Sequence, residues 1–260
     1  MRHVLTKVPE VTVYFWIIKV LTTGMGETTS DFLVKSIDPT IAVGIGAVGL
    51  AIALVLQFRA RRYVPWIYWL TVVMVAIFGT MAADVLHIGL GIPYLVSTIF
   101  FFVALMLVFV LWFKTEKTLS IHSIYTPRRE LFYWATVMAT FALGTAAGDM
   151  TATTMHLGYF ASGVMFAVLI AVVAVSHYIT KAILTTEHRH QSRNAVLAFW
   201  VAYILTRPLG ASFADWMGVS QARGGLAWGT GQVSLVLLVI IIGFVAYLTI
   251  THKDVERDFS

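Results

Sequence analysis

Eight apolar runs dominate this chain, each close to the roughly twenty residues that a helix needs to cross a bilayer. They fall near 10–34, 39–58, 64–88, 92–113, 130–157, 159–181, 194–218 and 228–250. In hydrocarbon every backbone N–H and C=O must be satisfied within the membrane, so runs of this length fold as helices. The stretches between them are too short for a soluble domain. Hydrophobic residues make up 59% of the 260 and charged residues only 12%, where a soluble domain carries about a quarter charged. The expectation is an all-α integral membrane protein, one transmembrane domain over 1–260 with eight transmembrane helices.

The charges orient it. Arg2 and Lys7 precede the first run; Arg59, Arg61 and Arg62 follow the second; Lys114, Lys117, Arg128 and Arg129 follow the fourth. Lys181, Arg189 and Arg193 follow the sixth, and Lys253 and Arg257 close the chain. The opposite loops hold only Lys35 and Arg223. By the positive-inside rule the N- and C-termini are cytoplasmic. The net charge of +5 is therefore topogenic and points to no nucleic acid. The first run carries Lys19, Glu27 and Asp31 and lacks the short apolar core of a secretory leader, so none is expected. Cysteine is absent, which excludes disulfides and thiolate metal ligands.

One phrase recurs four times: an aromatic residue, Trp, then Gly, then Asp. The copies are Phe15-Trp16…Gly26…Asp31, Tyr68-Trp69…Gly79…Asp84, Tyr133-Trp134…Gly144…Asp149 and Phe199-Trp200…Gly210…Asp215. Each contains two runs, so all copies enter from the same side. The predicted architecture is four parallel two-helix repeats, near 8–60, 61–115, 126–182 and 192–251, related by an axis along the membrane normal. The odd helices carry the motif. The even ones are nearly pure hydrophobes and read as scaffold or lipid-facing helices.

At about 100° per residue, positions relative to each Asp can be placed around the odd helices. Trp, the residue four before Asp (Glu27, Thr80, Thr145 or Ala211), His87, His156, Asp38 and Arg207 all fall within an arc of about 80°. The Gly lies about 140° away, where a neighbouring helix can approach closely. The Trp residues read most simply as interfacial anchors. Thr80 and Thr145 can bond back to their own helix, and His87 and His156 sit near the hairpin bends. With Trp at the interface, Asp lies about 22 Å deeper along the helix. Ionisable groups at membrane depth mark ion or proton pathways. Lys19 is expected to snorkel and, with Arg207, to serve as a charge partner of the carboxylates. Arg207 is too deep to snorkel and is expected to pair with Glu27 or Asp31. Five acids against two bases leave a site that favours a cation.

Glu27, Asp31, Asp84, Asp149 and Asp215 with Thr80 and Thr145 form an oxygen donor set suited to hard divalent ions. His87 and His156 beside Asp31, Asp84, Asp149 and Asp215 tilt the preference toward manganese-like ions. The expectation is a membrane transporter for cations, divalent and manganese-like, with carboxylates that allow coupling to protons. Its partners are the lipid bilayer and its cargo, and an oligomer is compatible with the sequence. It is expected to need no cofactor and not to be an enzyme. The alternatives are a cation channel with an acidic ring and a membrane-embedded metal-dependent enzyme.

The opening Lys7–Lys19 phrase, with Gly26-Glu27-Thr28-Thr29-Ser30-Asp31 and the later copies Gly79–Asp84 and Gly144–Asp149, resembles a widespread bacterial family of uncharacterised membrane-anchored proteins. The resemblance covers the whole chain and implies a bacterial cytoplasmic (inner) membrane. It implies no activity.

Overall fold

The structure, a computed structural model, describes residues 6–183 and 188–255, with the side chains of 88 and 181–193 outside the description. Of the basic residues that orient the chain, Arg2, Arg257 and the side chains of Lys181, Arg189 and Arg193 therefore lie outside the described residues.

The described residues contain eight α-helices: α1 (Val13–Ser36), α2 (Pro39–Arg59), α3 (Pro65–Asp84), α4 (Tyr94–Glu116), α5 (Pro127–Asp149), α6 (Tyr159–Ile183), α7 (His188–Gly218) and α8 (Thr230–Thr251). Pro opens α2, α3 and α5, where its missing N–H costs no helical bond. Asp38, placed by spacing on the polar stripe, instead caps α2, its Oδ1 accepting from Thr40 N at 2.9 Å and Ile41 N at 3.3 Å. Gly91 and Gly158 turn the chain after α3 and α5 with φ of +66° and +74°, which other residues adopt only with strain.

Seven helices, all but α1, are long and apolar enough to cross a membrane. This is a multi-pass helical membrane protein. The exception, α1, carries Lys19, Glu27, Asp31 and Lys35, and its neighbours show what it does with them.

The four odd helices form an inner ring in chain order, α1 on α3, α3 on α5, α5 on α7 and α7 on α1. A motif glycine sits at each of these contacts. A Cβ on Gly26 would lie 2.4 Å from Ala76 Cβ, on Gly79 2.7 Å from Phe141 Cβ, on Gly144 2.2 Å from Arg207 Cγ, and on Gly210 1.8 Å from Thr23 Oγ1. Each glycine thus admits the residue eight positions before the Asp of the next repeat. The notch is cyclic and closes from α7 back onto α1.

The outer helices differ from expectation. Each even helix packs mainly on the odd helix that follows it: α2 on α3, α4 on α5, α6 on α7, and α8 back on α1. The α1–α2 contact is slight by comparison. A physical reason is visible in α2, where Gly46 and Gly49 receive the Met81 and Met74 side chains of α3. The outward sides of the even helices leave Ile45, Ile52, Phe100, Leu107, Val172 and Val239 exposed, as a lipid-facing surface requires.

The N-terminal segment laces the basic end, where the Arg- and Lys-rich links lie. Lys7 N donates to Ile124 O (2.9 Å), Tyr63 N to Thr6 O (3.0 Å) and Glu10 N to Asp254 O (2.9 Å).

Candidate functional site

Stepping back from each motif Asp by four residues gives four more layers of the inner ring. They are Glu27, Thr80, Thr145 and Ala211; Thr23, Ala76, Phe141 and Arg207; Lys19, Val72, Val137 and Tyr203; and Phe15, Tyr68, Tyr133 and Phe199. All sixteen are buried except Phe199, which is half-buried. Residues four apart lie along one helix ridge, so each inner helix contributes one ridge to the axis.

Nearest the basic end is an aromatic girdle. The aromatic residue of one repeat packs on the Trp of the next: Phe15 on Trp69 (5.8 Å between centroids), Tyr68 on Trp134 (5.5 Å), Tyr133 on Trp200 (6.3 Å) and Phe199 on Trp16 (5.7 Å). Such pairs contribute roughly 0.5–1.5 kcal/mol each beyond their buried area. Trp69, Trp134 and Trp200 are buried, which corrects their reading as interfacial anchors. They seal the ring from within, and Trp200 Nε1 donates to Leu119 O at 2.9 Å.

Next comes Lys19. It is fully buried and its Nζ has no hydrogen-bond partner. The expectation that it snorkels is therefore corrected, as is its assignment as a partner for a carboxylate. Its neighbours are the faces of Phe141 and Tyr203, at 4.2 and 4.3 Å from the ring centroids. Aromatic faces attract a cation through their quadrupole, which explains how the position is tolerated.

At the centre Arg207, also fully buried, gathers all four inner helices. Its Nη1 donates to Thr23 O (3.0 Å) and its Nη2 to Glu27 Oε2 (2.7 Å), Thr145 Oγ1 (2.6 Å) and Thr80 Oγ1. Thr80 passes its own proton to Ala76 O (3.0 Å) and Thr145 to Phe141 O (3.3 Å). The two threonines therefore bond back to their helices and accept from Arg207 at once. The guanidinium fork suits this multi-acceptor geometry, which a lysine would not reproduce.

The four motif aspartates occupy the last layer, away from the basic end. Asp31 pairs with Lys35 one turn along α1. Asp215 is buried, and Asp84 and Asp149 are half-buried. Those three carboxylates form no ion pair and accept no hydrogen bond among the described residues. They nevertheless lie within electrostatic reach of one another and of Glu27 and Asp31. Asp84 and Asp149 each end an α-helix at the start of a π turn, Val85–Gly89 and Met150–Thr154. Such turns recur at functional sites.

The histidines stand apart. His87 is buried, its Nδ1 3.0 Å from Ser97 Oγ and its ring against Tyr94. His156 is exposed in a left-handed turn and is not gathered with the carboxylates. Among the described residues no three His, Asp or Glu side chains stand close enough to share one metal ion.

Three features escaped the sequence reading. Both π turns have no recognisable sequence signal. The same holds for the Tyr68–Tyr133 hydroxyl contact of 2.5 Å. A buried cluster at the basic end joins Lys7 Nζ to Glu130 Oε2 (2.6 Å) and Gln57 Nε2 to Glu130 Oε1 (2.9 Å). Glu130, four residues before a motif Trp and fully buried, was a findable signal, because an acid that close to an apolar run demands a partner.

A ring of four inner helices, each bringing the same ridge to one axis, defines a repeat-built helical membrane protein. The Repeat of Unknown Function (DUF347) family matches the chain four times, over residues 14–63, 67–118, 132–182 and 198–254. The chain belongs to that family. No curated protein and no solved structure matches it.

Proposed function

We propose that this protein is a membrane transporter for cations, with α1 as an eighth span completing the ring and the basic end facing the cytoplasm of a bacterial inner membrane. The observation that carries the reading is the layer of Asp84, Asp149 and Asp215, three carboxylates with no ion pair among the described residues, beside Glu27 and Asp31. Groups of this kind at membrane depth need a compensating charge, and a passing cation supplies one. Thr80 and Thr145 stand one turn deeper and offer hydroxyl oxygens once Arg207 withdraws.

Among the described residues no three acidic or histidine side chains stand close enough to share a bare ion, which favours a cation that arrives with its water shell. Divalent ions of the magnesium, calcium and manganese class, bound by one or two carboxylates and several waters, fit the donor set best. His87 and His156 would join only after rearrangement of the outer turns. A carrier is favoured over an open channel because Arg207, Lys19 and the aromatic girdle fill the axis toward the basic end. Passage requires that plug to open, which is the alternation expected of a carrier.

Thermal unfolding of the detergent-purified protein tests this. At about a hundred times its dissociation constant, a ligand adds about 2.7 kcal/mol of stability. Mn²⁺, Ca²⁺ or Mg²⁺ is expected to raise the midpoint of the wild type and to leave Asp84→Asn/Asp149→Asn unmoved. Equal shifts in both proteins would refute the assignment of the carboxylates.

A further inference from the structure

Two rings of the aromatic girdle, Trp16 and Phe199, are only half-buried, while the rest are closed in. Both line one cavity of about 510 Å³, which lies on α7 between α1 and α6 and reaches the link from α4 to α5. The repeats show why it is there. At the corresponding place one repeat earlier, where α4 comes up against α7, three rings fill the space. Phe109 packs edge-on against Trp200 with centroids 5.1 Å apart, Trp112 does so at 5.8 Å, and Trp112 stacks on Phe132 at 6.3 Å. Counted from the motif Trp of each repeat, the residues that correspond to Phe109, Trp112 and Phe132 one repeat later are Ala174, His177 and Ala198. All three line the cavity. The open seam beside Trp16 is thus the filled seam beside Trp200 with two phenyl rings reduced to methyl groups and an indole to an imidazole.

The lining sorts by depth. Ser120, His122 and His177 stand toward the basic end, and His122 Nδ1 lies 3.5 Å from Glu10 Oε1. Farther in, the walls are apolar, with Val20, Ile170, Ala202 and Leu209. Thr206 also lines this part, but its hydroxyl is spent on Tyr203 O at 2.7 Å. Along α7 the lining runs from Ala195 to Leu209, about 21 Å at roughly 1.5 Å per residue. A volume of this size falls in the range of roughly 300–1,000 Å³ typical of small-molecule sites.

We propose that this cavity binds a membrane-soluble aromatic amphiphile, an uncharged ring bearing carbonyl or hydroxyl oxygens on a hydrocarbon tail, as in quinones and long-chain phenols. The inference rests on the packing of the repeats and not on the cargo proposed above. Three observations fix the class. The space is the one that aromatic rings occupy in the filled seam, and Trp16 and Phe199 offer faces and edges against which a ring packs favourably. A neutral imidazole carries one N–H donor and one acceptor nitrogen, so His122 and His177 can answer either a carbonyl or a hydroxyl. No Lys, Arg, Asp or Glu side chain is among the described residues that line the cavity, and Glu10 stands beside its mouth. A neutral head matches that lining, whereas a lipid phosphate would find no cation there and an acid close by. The tail then follows the apolar wall of α7 away from the basic end.

Thermal unfolding in detergent micelles, with and without a benzoquinone carrying one isoprene unit, tests the site. The probe is expected to raise the wild-type midpoint saturably. Ala174→Phe/His177→Trp copies the filled seam, and is expected to unfold at a higher temperature than wild type without probe and to ignore the probe. His177→Ala removes a polar group without obstructing the space, and provides the test should the double variant fail to fold. It is expected to need at least tenfold more probe for half its shift. Equal responses from wild type and the double variant would mean partitioning into micelles only, and would overturn the proposal. An unchanged half-saturation in His177→Ala, or no shift in folded wild type, would also overturn it. An equal shift from a short-chain phosphatidylglycerol would assign the cavity to an ordinary lipid and overturn the aromatic class.

Discussion

Removing Arg207 should cost this protein more than removing any charge on its surface. The guanidinium is fully buried, holds Glu27 Oε2 at 2.7 Å, and accounts for four hydrogen bonds to three other helices. Truncation to Met leaves the Glu27 carboxylate buried without its counter-charge, and breaking one side of a buried pair typically costs about 3–5 kcal/mol. Replacing both partners removes the stranded charge as well as the bond. Arg207→Met combined with Glu27→Met should therefore cost at least about 2 kcal/mol less than the sum of the two single variants. The assay is reversible unfolding in mixed micelles, followed by tryptophan fluorescence, for wild type, both singles and the double. Additivity within about 0.5 kcal/mol, the usual result for independent sites, would refute the claim that this pair locks the ring.

Three further outcomes follow from the packing and the basic end. Gly210→Ala would place a methyl against Thr23 and the Val20 carbonyl and should destabilise by about 1–3 kcal/mol, whereas Gly243→Ala, with open space around it, should be neutral or slightly stabilising; the same unfolding assay reads both. Lys7→Met strands Glu130 and should cost about 3 kcal/mol, while Lys7→Met with Glu130→Leu should recover part of the loss; a double variant no better than Lys7→Met alone would contradict the pairing. Burial raises the Asp254 carboxyl above its unfolded value, so the folded state binds the extra proton and stability should fall as pH rises from the ordinary carboxylate range through the raised folded value. Asp254→Asn should flatten the fall in melting temperature that sets in as pH rises above the ordinary carboxylate range, and an unchanged slope would count against the assignment.

Element boundaries and the inner ridge were legible because a membrane forces periodicity to carry most of the signal. The repeated Gly at −5 and the polar residue at −4 fall on different sides of a helix, and the structure puts the first against a neighbour and the second on the axis. Partner choice among the outer helices was not legible. It depends on Gly46 and Gly49 accepting Met81 and Met74, and nothing in α2 alone says which helix supplies the filler. Lys19 misled for a related reason: an isolated lysine three residues past a Trp looks interfacial until the rings of Phe141 and Tyr203, more than a hundred residues away, are brought to it. The Trp residues misled because indole suits an interface and a buried girdle equally, and only ring closure selects the second. His87 lies within the first π turn and His156 just past the second, and these turns shift the helical phase that had placed both on the stripe.

The central claim is that the axial carboxylates carry a cation across the membrane. Uptake of Mn²⁺ into proteoliposomes, compared between wild type and Asp84→Asn/Asp149→Asn at matched reconstitution, tests it most directly. The account predicts saturable uptake in wild type and at least a tenfold loss in the variant. Absence of uptake of Mn²⁺, Ca²⁺ and Mg²⁺ by well-folded wild type, or equal uptake by both proteins, would contradict it.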